Sequence, residues 1–105
     1  MNESEFNQLV DETLTSIEDA IEATDEDIDF DTVAGILTLE FPDGSRIIVN
    51  RQAVNQQLWV AAKSGGFHFN RINQSWLDEK DKIDLAQRLS ELVSEQYGKK
   101  LQLEI

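Results

Sequence analysis

The sequence predicts an α+β fold in which two helices pack on one face of an antiparallel sheet. Apolar residues near the N-terminus recur with the period of a helix, and those in the middle of the chain alternate with polar residues as in strands. A second helical pattern follows near the C-terminus. With no linker or internal repeat between these parts, the pattern indicates a two-layer α/β sandwich that forms a single domain over residues 1–105.

The first helix is predicted from apolar residues spaced three or four positions apart. They are Phe6, Leu9, Val10, Leu14, Ile17 and Ile21. Asn2 or Ser4 would cap the N-terminus of this helix, and the acidic residues of its first turn suit the helix dipole.

The sheet is predicted from a change of the apolar period to two between positions 28 and 76. The predicted strands are residues 27–31, 36–41, 46–49, 58–61, 67–69 and 75–77. Pro42-Asp43-Gly44-Ser45 is a strong hairpin turn, because Pro sets φ and Gly accepts a positive φ. A second hairpin is expected around Ser64-Gly65-Gly66. Short strands in sequence order are typical of an antiparallel meander.

The second helix is predicted over residues 82–97. Its apolar side comprises Leu85, Leu89, Leu92 and Val93, with Gln96 alongside. Gly98 fits the position after the helix, and Lys99 and Lys100 complement the negative end of its dipole. The alternating segment 101–105 is either a short strand or an extended stretch laid against apolar surface.

The charge is divided unequally along the chain. Residues 1–45 carry fourteen carboxylates and no Lys or Arg, whereas residues 46–105 carry nine basic and seven acidic residues, which gives the formal net charge of −12. Such a balance disfavours binding to nucleic acid and to anionic membranes, because both require basic patches. Cysteine is absent, which excludes disulfides, thiolate metal sites and a cysteine nucleophile. Without a signal peptide or an apolar run of about 20 residues, a cytoplasmic location is expected.

Acidic residues of the first helix are predicted to form stripes on its exposed side. Asp11, Glu18 and Glu22 share one stripe beside the apolar face, and Glu12 and Asp19 share another. Glu18 and Glu22 are an i,i+4 pair of like charges, which costs about 0.2–0.5 kcal/mol in helix stability. A local rule that is broken without internal compensation often marks a functional surface.

The acidic run continues into the first strand. Asp27, Asp29 and Asp31 would project from one face of that strand about 7 Å apart, although Asp is disfavoured in strands. Carboxylates suit hard cations such as Ca²⁺, Mg²⁺, Mn²⁺ and iron, but the spacing matches no EF-hand and predicts a shallow, weak and unselective site. A basic protein is an equally natural partner. A solvated surface that prevents aggregation is the third interpretation.

A second group of candidate residues lies on the predicted sheet. Leu58 and Val60 are the better core pair, which leaves Trp59 on the sheet face away from the helices. An exposed Trp is a typical anchor of a protein interface. His68 would share this open face, as a bland surface residue, a lone ligand or a pH-sensitive contact. No nucleophilic triad, phosphate loop or zinc spacing is present.

The chain resembles the bacterial frataxins, the CyaY family, over nearly its whole length. The resemblance rests on Asn50-Arg51-Gln52, Leu58-Trp59-Val60-Ala61 and Gly65-Gly66-Phe67-His68-Phe69, and on the opening Met1–Phe6. The chain departs from the family pattern at Val54, where proline is common, and at Phe67, where tyrosine is usual. The resemblance implies the two-layer sandwich described above, and a role in iron–sulfur cluster assembly.

The resemblance also implies roles for individual residues. The bound ion would be Fe²⁺ or Fe³⁺, for which other hard cations could substitute. Its ligands would be Glu18, Asp19, Glu22, Asp25, Glu26, Asp27, Asp29 and Asp31. We call these eight carboxylates the acidic surface. The residues that contact partners would be Asp11, Glu18, Glu22, Asn50, Arg51, Gln52 and Trp59. The implied partners are a cysteine desulfurase, through its basic patch, and the iron–sulfur scaffold protein.

By the same resemblance, the protein is a regulator or adaptor of cluster assembly rather than an enzyme, and an iron donor in addition. It would be a monomer that can oligomerise with iron. The alternative is a carboxylate-based iron oxidation or storage protein. That alternative needs a preorganised, partly buried site, whereas the predicted carboxylates lie on a solvated face.

Overall fold

The chain forms one helix, six strands and a second helix, and the computed structural model describes residues 1–105. The elements are α1 (Glu3–Ala23), β1 (Asp29–Val33), β2 (Ile36–Glu40), β3 (Arg46–Gln52), β4 (Gln57–Ala62), β5 (Gly65–Ile72), β6 (Ser75–Asp78) and α2 (Leu85–Tyr97). Strands that follow one another in sequence pair antiparallel, so the sheet is a meander in the order β1 to β6. Both helices pack on one face of this sheet, which confirms the predicted fold class.

Helix α1 begins at a capping box. The backbone N–H of Glu5 donates to Asn2 Oδ1 at 2.8 Å, and the backbone N–H of Asn2 donates to Glu5 Oε1 at 3.1 Å. Asn2 is therefore the cap, and not Ser4. The helix ends at Thr24 and Asp25, and Asp25 adopts a left-handed φ of 56°. This conformation turns the chain out of α1 toward β1.

The core lies between the helices and the sheet and contains 21 buried apolar residues. Alternate residues of the strands point into it, and Leu37, Ile47, Val49, Leu58 and Val60 are each almost fully buried. Trp76 also faces the helices: its ring meets Phe6 edge-on at 6.5 Å between centroids, and its indole N–H donates to Thr13 Oγ1 at 3.0 Å. These contacts fasten α1 to the end of the sheet that carries β6.

Most predicted element boundaries differ from the structure by one to three residues. Helix α2 begins at Leu85 rather than at residue 82, because Asp84 caps it and Lys82 has a positive φ of 58° that no helix accommodates. The β4–β5 hairpin turns at residues 63–64, so Gly65 belongs to β5. Strand β1 begins at Asp29, where it pairs with Glu40, and residue 27 precedes the strand.

The segment 101–105 is extended and packs against α2, as one of the two predicted alternatives has it. Gly98, with a φ of 83°, ends the helix and reverses the chain. Ser94 Oγ then accepts from the backbone N–H of Leu101 at 2.8 Å, and Ser90 Oγ accepts from the backbone N–H of Leu103 at 2.9 Å. The Leu103 side chain is 1% exposed and completes the core. Neither helix is long and apolar enough to cross a membrane.

Candidate functional site

On α1, the carboxylates of the acidic surface point in two directions. Glu18 lies on the side of β1, where the hydroxyl of Thr32 donates a hydrogen bond to Glu18 Oε2. Glu22 is exposed one turn further along. Asp19 instead borders a shallow groove that the C-terminal segment forms with α1, next to Glu104. The helix therefore offers carboxylates both to the β1 edge and to the opposite side.

Glu26, in the junction between α1 and β1, is bound by internal donors. The ammonium of Lys99 donates to Glu26 Oε1, and the Tyr97 hydroxyl donates to Glu26 Oε2 at 3.2 Å. The hydrogen bond from Lys99 lowers the pKa of Glu26 and raises that of Lys99 itself. Asp25 and Asp27 on either side of it are exposed and have no ion-pair partner. Lys99 thus relieves the charge of one junction carboxylate only.

The carboxylates of β1 lie on the open face of the sheet, away from the helices. Phe30 packs against the core, so Asp29 and Asp31, its neighbours in the strand, face the other way. In register, Asp29 lies opposite Glu40, which pairs with Arg46 at 3.1 Å. Glu40 was absent from the predicted set. A two-residue turn at Ala34-Gly35 would have placed it opposite Asp29 by counting along the hairpin.

The acidic surface is an array of separated oxygen donors. The structure contains no group of three or more His, Asp or Glu side chains placed together to hold a metal ion. Carboxylate oxygens nevertheless have the hard character that iron and similar cations prefer. A cation at this surface would be bound by exposed side chains that move toward it.

Arg51 lies apart from Asn50, Gln52 and Trp59, the sheet residues with which the resemblance groups it as a partner contact. Its side chain lies on the helix side of the sheet, where Nη1 donates to Asn7 Oδ1 at 2.8 Å and Nη2 donates to Asp11 Oδ1 at 2.6 Å. The guanidinium lies so close over Gly35 that a Cβ there would be 2.5 Å from Nη2. Arg51 therefore joins β3, α1 and the β1–β2 turn, and it neutralises Asp11.

The open face carries Trp59 as predicted, together with Asn50, Gln52 and His68. Asn50 lies opposite Trp59 on the neighbouring strand, and His68 lies opposite it on the other side. The rings of Trp59 and His68 stack with centroids 4.4 Å apart and planes 10° from parallel. His68 Nδ1 lies 3.6 Å from Glu79 Oε2, and both side chains are about half exposed.

Gln57 supports this aromatic pair and was not among the predicted site residues. Its Oε1 accepts from the Trp59 indole N–H at 2.8 Å, and its Nε2 donates to Asn70 Oδ1 at 3.0 Å and to Glu79 Oε1 at 2.9 Å. Gln57 is only 5% exposed. A side chain that is fully bonded and buried at this point fixes the indole in one orientation, so the open face is preorganised around Trp59.

Val54 and Phe67, the two departures from the family pattern, belong neither to the acidic surface nor to the residues around Trp59 on the open face. Val54 is 88% exposed in the loop between β3 and β4. Phe67 lies on the helix side, where the Arg88 guanidinium is 5.0 Å from its ring centroid. A phenyl ring there provides a cation–π contact without a hydroxyl.

Comparison with known proteins gives the class to which this fold and these surfaces belong. The family model of the frataxin-like domain matches residues 1–99, and the chain belongs to that family. It is 45% identical over 104 residues to the iron-sulfur cluster assembly protein CyaY of Dechloromonas aromatica, with 98% of this chain and 99% of that relative covered. It is 47% identical over 91 residues to the CyaY protein of Vibrio cholerae, with 87% of this chain and 88% of that relative covered.

Solved structures agree with this assignment. The fold matches frataxin from Psychromonas ingrahamii with a TM-score of 0.93 and 33% identity, over 100% of both chains. It also matches a trimeric frataxin from Saccharomyces cerevisiae, complexed with ferrous iron, with a TM-score of 0.70 and 30% identity over 94% of this chain and 88% of that one.

Proposed function

We propose that this protein is a non-enzymatic regulator of iron–sulfur cluster assembly in the cytoplasm. It docks the acidic surface on the basic patch of a cysteine desulfurase, modulates that enzyme, and binds iron weakly through the same carboxylates, so that it can also donate iron. Two observations from relatives support the proposal: CyaY proteins are named for iron–sulfur cluster assembly, and a yeast frataxin has been solved with ferrous iron.

The observation that carries the proposal is the lack of internal counter-charges on the acidic surface. Of its eight carboxylates, only Glu26 takes part in an ion pair, with Lys99. The other seven have no internal cation, although Glu18 accepts a hydrogen bond from Thr32, and their like charges repel one another. A basic partner or a cation would neutralise them, and long-range attraction of a basic surface would also speed association.

The open face supplies a second surface, which we assign to the iron–sulfur scaffold protein. Trp59 anchors this surface, and Asn50 and Gln52 surround it with hydrogen-bonding groups. Arg51 and Asp11 are bound to each other. We therefore leave Arg51 out of the scaffold contacts and give Asp11 at most a minor part in desulfurase docking.

Binding to the cysteine desulfurase over a salt series tests the proposal. The test variant is Glu18→Lys/Glu22→Lys on α1, and the matched control is Glu91→Lys/Glu95→Lys on α2, which has the same i,i+4 spacing and the same change in net charge. We expect the wild type and the control to bind at low salt and weaken as salt rises, and the α1 variant to lose binding by more than about tenfold.

Equal loss in both variants would mean that net charge, and not the α1 surface, governs the interaction. No binding of the wild type at low salt would overturn docking altogether. The alternative function, iron oxidation, has its own readout: a rate of Fe²⁺ oxidation that falls in Glu18→Ala/Glu22→Ala would support an enzyme over a regulator.

A further inference from the structure

Glu26 is the only member of the acidic surface that already binds a cation, and that cation belongs to the protein. Lys99 Nζ donates to one carboxylate oxygen, and the Tyr97 hydroxyl donates to the other at 3.2 Å. The Tyr97 oxygen in turn accepts from the backbone N–H of Asp27 at 3.2 Å. Tyr97 at the end of α2 and Lys99 two residues later therefore hold the junction between α1 and β1.

The two donors differ in how easily they can leave. The Glu26 side chain is 16% exposed, whereas that of Lys99 is 61% exposed and lies on a flexible four-carbon stem beyond the end of α2. An exposed ammonium of this kind exchanges readily with water or with another cation. The Tyr97 ring, by contrast, is partly buried and packs against the core.

The position of Lys99 affects more than one carboxylate. Asp25 and Asp27 flank Glu26 directly, and neither has an ion-pair partner of its own. The positive charge of Lys99 at Glu26 therefore lowers the negative potential at the part of the acidic surface that links α1 to β1. A cation or basic side chain that binds Glu26 Oε1 takes the place of the Lys99 ammonium there.

We propose that Lys99 is a tethered competitor for the acidic surface: its ammonium occupies Glu26 and must be displaced before a metal ion or a basic partner can use that carboxylate. Lys99 thereby sets the affinity of the junction. The proposal rests on the proposed function, because it assigns a regulator to the surface that is proposed there to bind metal and the desulfurase.

The chain offers a matched pair of variants and a local probe. Lys99→Gln and Lys100→Gln each remove one positive charge from adjacent positions, but only Lys99 contacts a carboxylate. Tyr97 is the only tyrosine, and its hydroxyl touches Glu26. Paramagnetic broadening by Mn²⁺ falls with the sixth power of distance, so the Tyr97 ring signals in NMR respond most strongly to an ion bound at Glu26. Loss of that response on Glu26→Gln distinguishes such an ion from one bound at Asp25 or Asp27.

We expect Mn²⁺ to broaden the Tyr97 signals at a concentration about two- to fivefold lower in Lys99→Gln than in the wild type. Lys100→Gln should stay close to the wild type. In the double variant Lys99→Gln/Glu26→Gln, the required Mn²⁺ concentration should return to at least that of the wild type, because the carboxylate that Lys99 had occupied is no longer present.

The other outcomes separate this proposal from the one on which it rests. If the two lysine variants respond alike, or if Mn²⁺ broadens amides of α1 and β1 in Lys99→Gln at a lower concentration than it broadens Tyr97, the competitor role is overturned while the acidic surface remains a metal site. If Mn²⁺ broadens no signal in any variant, both the competitor role and the proposed metal binding are overturned.

Discussion

Arg51, for which the family resemblance implies a contact with a partner, shows at the scale of one residue how the fold uses a charge internally. Its guanidinium reaches back over Gly35 to Asn7 and Asp11 on α1, and its Nε is buried without a hydrogen-bond partner. The close approach is possible because Gly35 has no side chain and adopts a φ of 77°. Arg51 is thus a structural residue that connects the sheet to the helix bearing the acidic surface.

Gly35→Ala tests this contact. A Cβ at position 35 would collide with a guanidinium that two acceptors hold in place, and the positive φ adds strain, so we expect a loss of about 3 kcal/mol in the free energy of unfolding. Gly44→Ala is the control, since Gly44 also has a positive φ, of 86°, but open space around it. Urea unfolding should show a loss of only about 1 kcal/mol for the control. Equal losses in the two variants would show that the Arg51 side chain moves away from a Cβ at position 35 at little energetic cost.

Asp78 is a second charged residue whose partners all lie within the protein. Its side chain is almost fully buried at the end of β6, where it accepts from Arg88 Nη2 at 3.0 Å and from the backbone N–H groups of Asp81 and Lys82 at 2.6 and 3.0 Å. Burial alone would raise the pKa of Asp78, but these hydrogen bonds and the charge of Arg88 outweigh it and lower the pKa. The ionised carboxylate therefore stabilises the folded state.

Asp78→Asn should lower the free energy of unfolding at pH 7 by about 2–3 kcal/mol. Because the folded pKa lies below the ordinary value of about 3.9, the ionic contribution is complete above that value and is lost as the pH falls through the folded pKa. The difference in free energy of unfolding between Asp78→Asn and the wild type should therefore become smaller below about pH 4. Asp81→Asn, at an exposed partner of the same Arg88, should cost less than about 1 kcal/mol. A gap that does not vary with pH would contradict an ionic role for Asp78.

At the scale of elements, the C-terminal segment extends the helix layer, with α2 on one side and α1 on the other. Ser90 and Ser94 lie one turn apart and their hydroxyls take up backbone groups of the segment. The Ser90 hydroxyl donates to the Ala86 carbonyl of its own helix at 2.7 Å, as serine within a helix commonly does, and its oxygen also accepts from the backbone N–H of Leu103. The hydrogen bonds set the register of the segment, and the Leu103 side chain fills the core.

Leu103→Ala should therefore destabilise the protein by about 2–4 kcal/mol, because it leaves a cavity between α2 and its neighbours. Ile105→Ala is the control, at a residue 38% exposed two positions later. Urea unfolding should leave the control within about 0.5 kcal/mol of the wild type. A small effect at position 103 would show that the segment lies on the core without contributing to it.

The elements also show which parts of the structure the sequence could predict. Local patterns, such as the period of α1 and the alternation of the strands, predicted every helix and strand and placed Trp59 on the open face. The misplaced start of α2 lay in a segment where Asp84 competes with earlier polar residues for the cap. The partners of Arg51 and Lys99 were not predictable, because Asp11 and Glu26 lie 40 and 73 positions away. Pairing of exposed charges has no periodic signal.

At the scale of the whole molecule, the charge remains unbalanced after folding. Residues 1–45 carry fourteen carboxylates, and only four of these form ion pairs. The basic partners are Arg46, Arg51, Lys63 and Lys99. The compact state therefore brings unpaired carboxylates together, and the unfolded state lets them separate.

Stability should accordingly rise with ionic strength. Increasing NaCl from about 10 to 150 mM shortens the screening length from about 30 to 8 Å, and we expect the free energy of unfolding in urea to rise by on the order of 1 kcal/mol. Mg²⁺ at matched ionic strength is the comparison, because stabilisation beyond that of NaCl indicates cation binding rather than screening. A fall in stability with NaCl would mean that attractive pairs dominate.

The placement of the two tryptophans has a practical consequence. Trp76 is 4% exposed and bonded to α1, whereas Trp59 stands on the open face against His68. Emission from Trp76 therefore follows the integrity of the core, whereas emission from Trp59 also follows whatever covers the open face around it. In Trp59→Phe, the remaining emission reports unfolding with little response to binding at the open face; in Trp76→Phe, the remaining emission reports binding at that face under conditions where the protein stays folded.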